Sequence, residues 1–235
     1  MELENQPGFI VWFTGMSRAG KTTLANLVAG RLAVVGRKVE ILDEGGAAKL
    51  LLEGLGTSKD DQARAVARLG YVAKAVMKAG GVAVCAALSP HREPREALRR
   101  EARRVLEVFV DCDMNELLKR DASGLYKRAY TGELKDVAGV DVPYEPPAHP
   151  EVTVHTDQVS ADEAARKIYQ ALVDARFIGP AEFGRLTGGL RPKRAAPATS
   201  SRGAARRRAG PRAAAARNAP RKKNLRGAKA TKRRR

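Results

Sequence analysis

Cysteine is scarce in this chain of 235 residues: Cys85 and Cys112 are the only two. Two lone cysteines build neither a disulfide framework nor a metal cage; they read as core thiols in a reducing, cytoplasmic compartment. Long apolar runs are missing too. None approaches the roughly 18–20 residues of a membrane span, so no membrane partner is expected. The first ten residues hold two acids and no base, which argues against a secretory signal or transit peptide there. The three histidines, His91, His149 and His155, have no metal-ligand spacing and read as incidental. The single tryptophan, Trp12, sits in an apolar run and reads as core.

Acids are absent from one long stretch. Residues 191–235 carry 18 Lys and Arg against no Asp or Glu, and the rest of the chain balances 26 bases with 26 acids. The whole formal charge of +18 therefore lies in the last 45 residues. That stretch also lacks aromatics and has one large aliphatic residue, Leu225, among 13 alanines and four prolines. It cannot bury enough apolar surface to offset its ordering entropy and is expected to be disordered. The division expected is a domain over 1–178, a junction over 179–190 and a disordered basic tail over 191–235.

Within the domain, Phe9–Phe13 is a continuous apolar run suited to a strand buried on both faces. Leu24, Val28 and Leu32 then fall at helical spacing, with Gly36 as a stop. Further strands are expected over Val39–Leu42, Val82–Leu88, Val105–Val110 and, weakly, Val152–His155. Helices are expected over Asp60–Lys78 and Ala161–Ala175. Strands that alternate with helices and are too apolar for a one-sided sheet imply an α/β fold, a parallel sheet covered on both faces. Ligands of such sheets bind beyond the carboxyl ends of the strands, where Gly15, Asp43, Ser89 and Asp111 fall.

Gly15-Met16-Ser17-Arg18-Ala19-Gly20-Lys21-Thr22-Thr23 has the spacing of a phosphate-binding loop, with a strand before it and a helix after it. Its glycines let backbone N–H groups wrap a phosphate, and the helix start adds positive potential. Lys21 is placed to bridge β- and γ-phosphates and the Thr22 hydroxyl to ligate Mg²⁺. This points to ATP and Mg²⁺ and leaves open what is done with them.

Longer stretches carry a resemblance. Arg120-Asp121-Ala122-Ser123-Gly124-Leu125-Tyr126-Lys127-Arg128-Ala129, Gly132-Glu133-Leu134-Lys135 and Gly139 to Pro147 resemble the long lid and proline-containing loop of the adenylyl-sulfate kinase family. Leu88-Ser89-Pro90 with Arg92, Val108 to Asp111, and Arg68-Leu69-Gly70 resemble other motifs of that family. The resemblance implies a three-layer P-loop nucleotide-kinase-like fold, ATP as donor, Mg²⁺ as cofactor, adenosine 5′-phosphosulfate (APS) as acceptor and a homodimer. It makes Arg120 an arginine that packs on the donor adenine and Ser89 a phosphoryl-acceptor position. The bland reading of Ser89 is a cap on the next helix, whose first turn carries Glu93 and Glu96. Lys127, Arg128 and Lys135 could counter phosphate charge from a lid that excludes water; alternatively they are an ordinary solvated face.

The chain departs from that family on the acceptor side. Where the family reads Leu-Asp-Gly-Asp-Asn-x-Arg, this chain reads Leu42-Asp43-Glu44-Gly45-Gly46-Ala47-Ala48. The family's Phe, Arg and Asn that hold the acceptor fall at Thr57, Gln62 and Ala65, and its lid Lys-Gly-Phe-Thr-Gly becomes Lys135 to Gly139. Stacking a base on an aromatic ring is worth roughly 1–3 kcal/mol, and a charge-assisted hydrogen bond about 1.5–3 kcal/mol. Without two of each, APS binding would be weaker by several powers of ten unless other residues substitute. Asp43 is expected to be functional; Glu44 is either a second functional carboxylate or a solvated loop acid.

Three functions follow: an ATP-dependent kinase acting on APS, a diverged kinase acting on another alcohol, or an inactive nucleotide-binding protein tethered to nucleic acid by its tail. The basic clusters Arg206-Arg207-Arg208, Arg221-Lys222-Lys223 and Lys232 to Arg235 would attract nucleic acid nonspecifically, or an acidic protein partner. With no aromatic residue to stack on bases, specific single-strand recognition is not expected. A solvated extension without a partner is the alternative for the tail.

Overall fold

The computed structural model describes residues 6–46 and 48–188. Its elements run β1 (Phe9–Thr14), α1 (Lys21–Val34), β2 (Val39–Asp43), a 3-10 turn (Lys49–Leu52), α2 (Lys59–Lys78), β3 (Val82–Ala86) and α3 (Arg92–Ala102). Then follow β4 (Val105–Asp111), α4 (Met114–Arg120), α5 (Leu125–Tyr130), β5 (Val152–His155), α6 (Ala161–Asp174) and α7 (Pro180–Thr187). The five strands form one sheet in the order β2-β3-β1-β4-β5, and every pairing is parallel. β1 is central, and the chain order reverses beside it, which makes its carboxyl end the place for a ligand.

Alternation along β1 divides the core. Phe9, Val11 and Phe13 face α1 and α6, where they meet Leu24, Val28, Leu32, Ile168 and Leu172. Ile10 and Trp12 face α2 and α3 and pack with Leu69, Ala73 and Leu98. Both faces are covered, as the apolar strands required. The helices begin on side-chain caps where the sequence offers them. Ser58 accepts from the Asp61 N–H at the start of α2, and Ser160 forms a capping box with Glu163 on α6. Among the described residues no helix is long and apolar enough to cross a membrane.

The expected strands and helices are all present, with ends shifted by one or two residues. Helices α4, α5 and α7 fall where the sequence reading placed none. The stretch read as a junction contains α7, which buries Leu186 and follows the buried Ile178. The reason is a partner far away in sequence: Glu182 on α7 forms a buried ion pair with Arg37. The basic tail, 191–235, lies outside the described residues.

Candidate active site

The phosphate loop is shaped by close approach and left-handed backbone. Gly15 has φ +148°, and a Cβ there would lie 2.2 Å from the Val110 carbonyl oxygen of the neighbouring strand. Gly20, with φ +101°, turns the chain into α1, and Arg18 also has positive φ. The Lys21 ammonium folds back over the loop, donating to the carbonyls of Gly15 at 2.8 Å and Met16 at 2.9 Å. Burial lowers its pKa to about 8, against the opposing pull of Glu44 and Asp43. Thr22 and Thr23 are exposed at the start of α1, whose first turn holds no acid. A ring of loop amides, a lysine and a helix start with no competing carboxylate together make an anion cradle.

Arg120 is held beside this cradle. Its Nη1 and Nη2 donate to Thr156 Oγ1 and the Thr156 carbonyl, each at 3.0 Å. The Thr156 hydroxyl in turn donates to the Ala19 carbonyl at 2.7 Å. Sequence reading did not single out Thr156, which connects the arginine to the loop across 137 residues. The lid is tied to the same loop. Tyr126 OH donates to the Ser17 carbonyl at 2.7 Å, and Arg18 Nη2 donates to Ser123 Oγ at 2.8 Å. Of the two readings of the three lid cations, the described geometry has them as a solvated face. Lys127, Arg128 and Lys135 are exposed, Arg128 pairs locally with Glu133 at 2.8 Å, and no described contact brings any of them to the phosphate loop.

On the acceptor side, Ser89 is not the helix cap. His91 occupies the cap position of α3 without a side-chain bond, whereas Ser89 Oγ is turned inward. It accepts from Trp12 Nε1 at 3.2 Å and lies 2.8 Å from Thr14 Oγ1, which is also 2.8 Å from Tyr144 OH. Ser89 has φ +36° and is buried, a strained turn for a non-glycine residue. Buried Arg95 holds that turn. It donates to the carbonyls of Ser89, His91 and Glu145 and pairs with Glu107 at 2.9 Å. Arg95 was not legible as a site residue; the one hint was Glu107, an acid inside the apolar run of β4.

Asp43 and Glu44 end β2 and diverge. Asp43 Oδ1 accepts from the Gly45 N–H at 3.1 Å, curling back on its own loop. Glu44 Oε2 instead accepts from the Leu88 N–H at 2.7 Å. Burial raises the Glu44 pKa, while the Leu88 N–H and the Lys21 charge pull it down. The reading of Glu44 as a solvated loop acid does not hold. Glu44 and Ser89 line a cavity of about 210 Å³, together with Thr57, Gln62, Ala65 and Leu52. Three of the positions that the resemblance assigns to the acceptor, Thr57, Gln62 and Ala65, thus line one cavity, while Gly45, Gly46 and Ala48 do not. Asp136 of the lid reaches it, accepting from Thr57 Oγ1 at 3.1 Å.

A parallel sheet, a phosphate cradle at the carboxyl end of its central strand and a separate cavity beside that cradle define a P-loop kinase. Residues 7–155 match the family described as Adenylylsulphate kinase. The adenylyl-sulfate kinase of Picosynechococcus sp. is 40% identical over 173 residues, which are 74% of this chain and 98% of that protein. A probable bifunctional SAT/APS kinase of Sorangium cellulosum is 42% identical over 171 residues, which span 73% of this chain and 29% of that longer protein. The Mycobacterium tuberculosis APS kinase solved with AMPPNP and APS superposes with a TM-score of 0.67 at 33% identity, covering 72% of this chain and 99% of that one. The chain belongs to the adenylyl-sulfate kinase family.

Proposed function

We propose that the chain transfers the γ-phosphate of ATP to the 3′-hydroxyl of APS. The observation that carries this reading is the join between its two halves: Thr14, immediately before the phosphate loop, lies 2.8 Å through its Oγ1 from Ser89 Oγ, and Ser89 lines the acceptor cavity. In this reading the amides of residues 15–23 hold the triphosphate, Lys21 spans the transferring group, and Arg120 flanks the adenine. Phosphoryl transfer needs mainly positioning and charge stabilisation, so a cradle and an aligned acceptor pocket are the essential parts. The Thr22 hydroxyl is exposed and makes no described hydrogen bond, which suits a Mg²⁺ ligand; the ion would draw charge from the β- and γ-phosphates. Ser89 forms part of the cavity wall and positions the acceptor rather than accepting the phosphoryl group, because its hydroxyl is already engaged with Trp12 and Thr14. Lys127, Arg128 and Lys135 would serve only on a further closure of the lid.

A second reading has one observation in its favour. Among the described residues no Lys or Arg lines the acceptor cavity, so a doubly charged sulfonucleotide meets Glu44 without a compensating cation from them. An uncharged alcohol would fit that wall. ADP formation with APS and with a panel of neutral alcohols separates the two. APS-dependent turnover supports the first reading, and turnover with a neutral alcohol alone supports the second.

A further inference from the structure

We propose that Glu44 is the acceptor-side catalytic carboxylate of this chain, replacing from the adjacent position the aspartate that the family carries where Gly45 stands. The inference rests on the phosphotransferase reading and concerns which residue prepares the acceptor.

Side-chain partners select Glu44 over Asp43. β2 ends at Asp43, where the Glu44 N–H donates to the Ala86 carbonyl at 3.2 Å, and the chain then turns, the Gly46 N–H donating to the Asp43 carbonyl at 3.0 Å. Asp43 faces its own turn: Oδ1 takes the Gly45 N–H, and a Cβ on Gly46 would lie 3.8 Å from Oδ2. Glu44 lines the cavity and is the only carboxylate among the described residues that do so.

The Glu44 carboxylate is also fixed in a useful way. Oε2 is held by the Leu88 N–H, immediately before Ser89, while no described hydrogen bond engages Oε1. One oxygen therefore anchors the group and the other is free to accept a proton. Burial raises the Glu44 pKa, which suits a group that takes up a proton, while the Leu88 N–H and the Lys21 charge oppose that rise. The turn after it has space. A Cβ on Gly45 would meet nothing nearer than Asp43 Oδ1 at 3.9 Å, so an aspartate there can be restored without a clash.

In the step this arrangement supports, the acceptor hydroxyl oxygen forms a bond to the γ-phosphorus. The bond from that phosphorus to the oxygen bridging it to the β-phosphate breaks, and ADP leaves with the electron pair. The hydroxyl proton passes to Glu44 Oε1, so the products are the phosphorylated alcohol, ADP and one proton, which the carboxylate later gives to water.

The test is steady-state kinetics of the full chain with APS varied at saturating ATP, for wild type, Glu44→Gln, Glu44→Asp and the double variant Glu44→Gly with Gly45→Asp. ATP binding is measured alongside as a control on folding. Glu44→Gln is expected to lose about a hundred- to ten-thousand-fold in kcat with ATP affinity within a few-fold of wild type. The double variant is expected to recover most of that loss. A Glu44→Gln enzyme within three-fold of wild-type kcat overturns the assignment and leaves the kinase reading standing, as does equal loss of ATP binding and kcat. If wild type is inactive on APS and the double variant is active, Glu44 is not the replacement. If neither turns over, the functional reading fails and the assignment with it.

Discussion

Arg37 and Glu182 meet in a two-pronged ion pair across 145 residues, Nε to Oε1 and Nη2 to Oε2, each at 2.8 Å. Both side chains are buried, and the pair joins the approach to β2 with α7. Arg37 also lies over the ring of Phe9, which stacks on Phe177. The pair ties α7 to the kinase body alongside the apolar burial of Leu186 and Ile178.

Removing one partner leaves a buried charge without compensation. Arg37→Ala and Glu182→Ala should each cost about 3–5 kcal/mol of unfolding free energy. Replacing both by apolar residues of similar size should cost less than either single change. Urea unfolding of the three variants checks this. A loss under about 1 kcal/mol for both single variants would show that α7 is dispensable.

Lys21 gives the protein free of nucleotide a pH-dependent stability. Its pKa is 10.5 in the unfolded chain and about 8 in the folded one. Between those values the unfolded chain holds a proton that the folded chain has released, so stability rises with pH. The slope is at most about 1.4 kcal/mol per pH unit. Below pH 8 both states are charged and the slope vanishes. Burial also raises the Cys85 and Cys112 thiols, which act in the opposite sense from about pH 9, where they ionise in the unfolded chain and stay protonated in the folded one; Tyr126 and Tyr144, whose folded pKa values are pushed up to about 12 from 10, do so above pH 10. Chemical denaturation at pH 8.0 and 9.5 should show a more positive change in stability with pH for wild type than for Lys21→Met, the thiols being common to both. Equal slopes in the two proteins would contradict the burial of that charge.

The basic tail predicts a separate behaviour. With 18 Lys and Arg and no acid over residues 191–235, full-length protein should be retained on duplex DNA at low salt. Retention should fall steeply with salt, with a log–log slope of about −0.9 for each phosphate neutralised. A chain ending at residue 190 should pass through under the same conditions. Equal retention of the two at low salt would remove nucleic acid as the tail's partner.

The parts of the fold legible in the sequence were those fixed by local pattern. The β5 span Val152–His155 was read residue for residue, and the Gly15 to Thr22 spacing located the cradle because backbone geometry there demands glycine at defined positions. What escaped depends on partners distant in sequence. A serine before a proline and two glutamates looks like a helix cap, yet the hydroxyl of Ser89 is claimed by Thr14 and Trp12, 75 and 77 residues earlier. Glu182 reads as surface until Arg37 is placed against it. The inward anchoring of Glu44 depends on the Leu88 N–H, 44 residues away, which composition does not encode. Charge in the lid was visible, but its targets were not: Arg128 found Glu133, five residues away.

The most direct measurement is product formation from γ-labelled ATP and APS by the purified full chain with Mg²⁺, beside Lys21→Ala. The account predicts label on the 3′-oxygen of the acceptor, one ADP per labelled product, and no labelled product from the Lys21→Ala protein. ATP bound tightly by wild type with no label transferred to APS would contradict it.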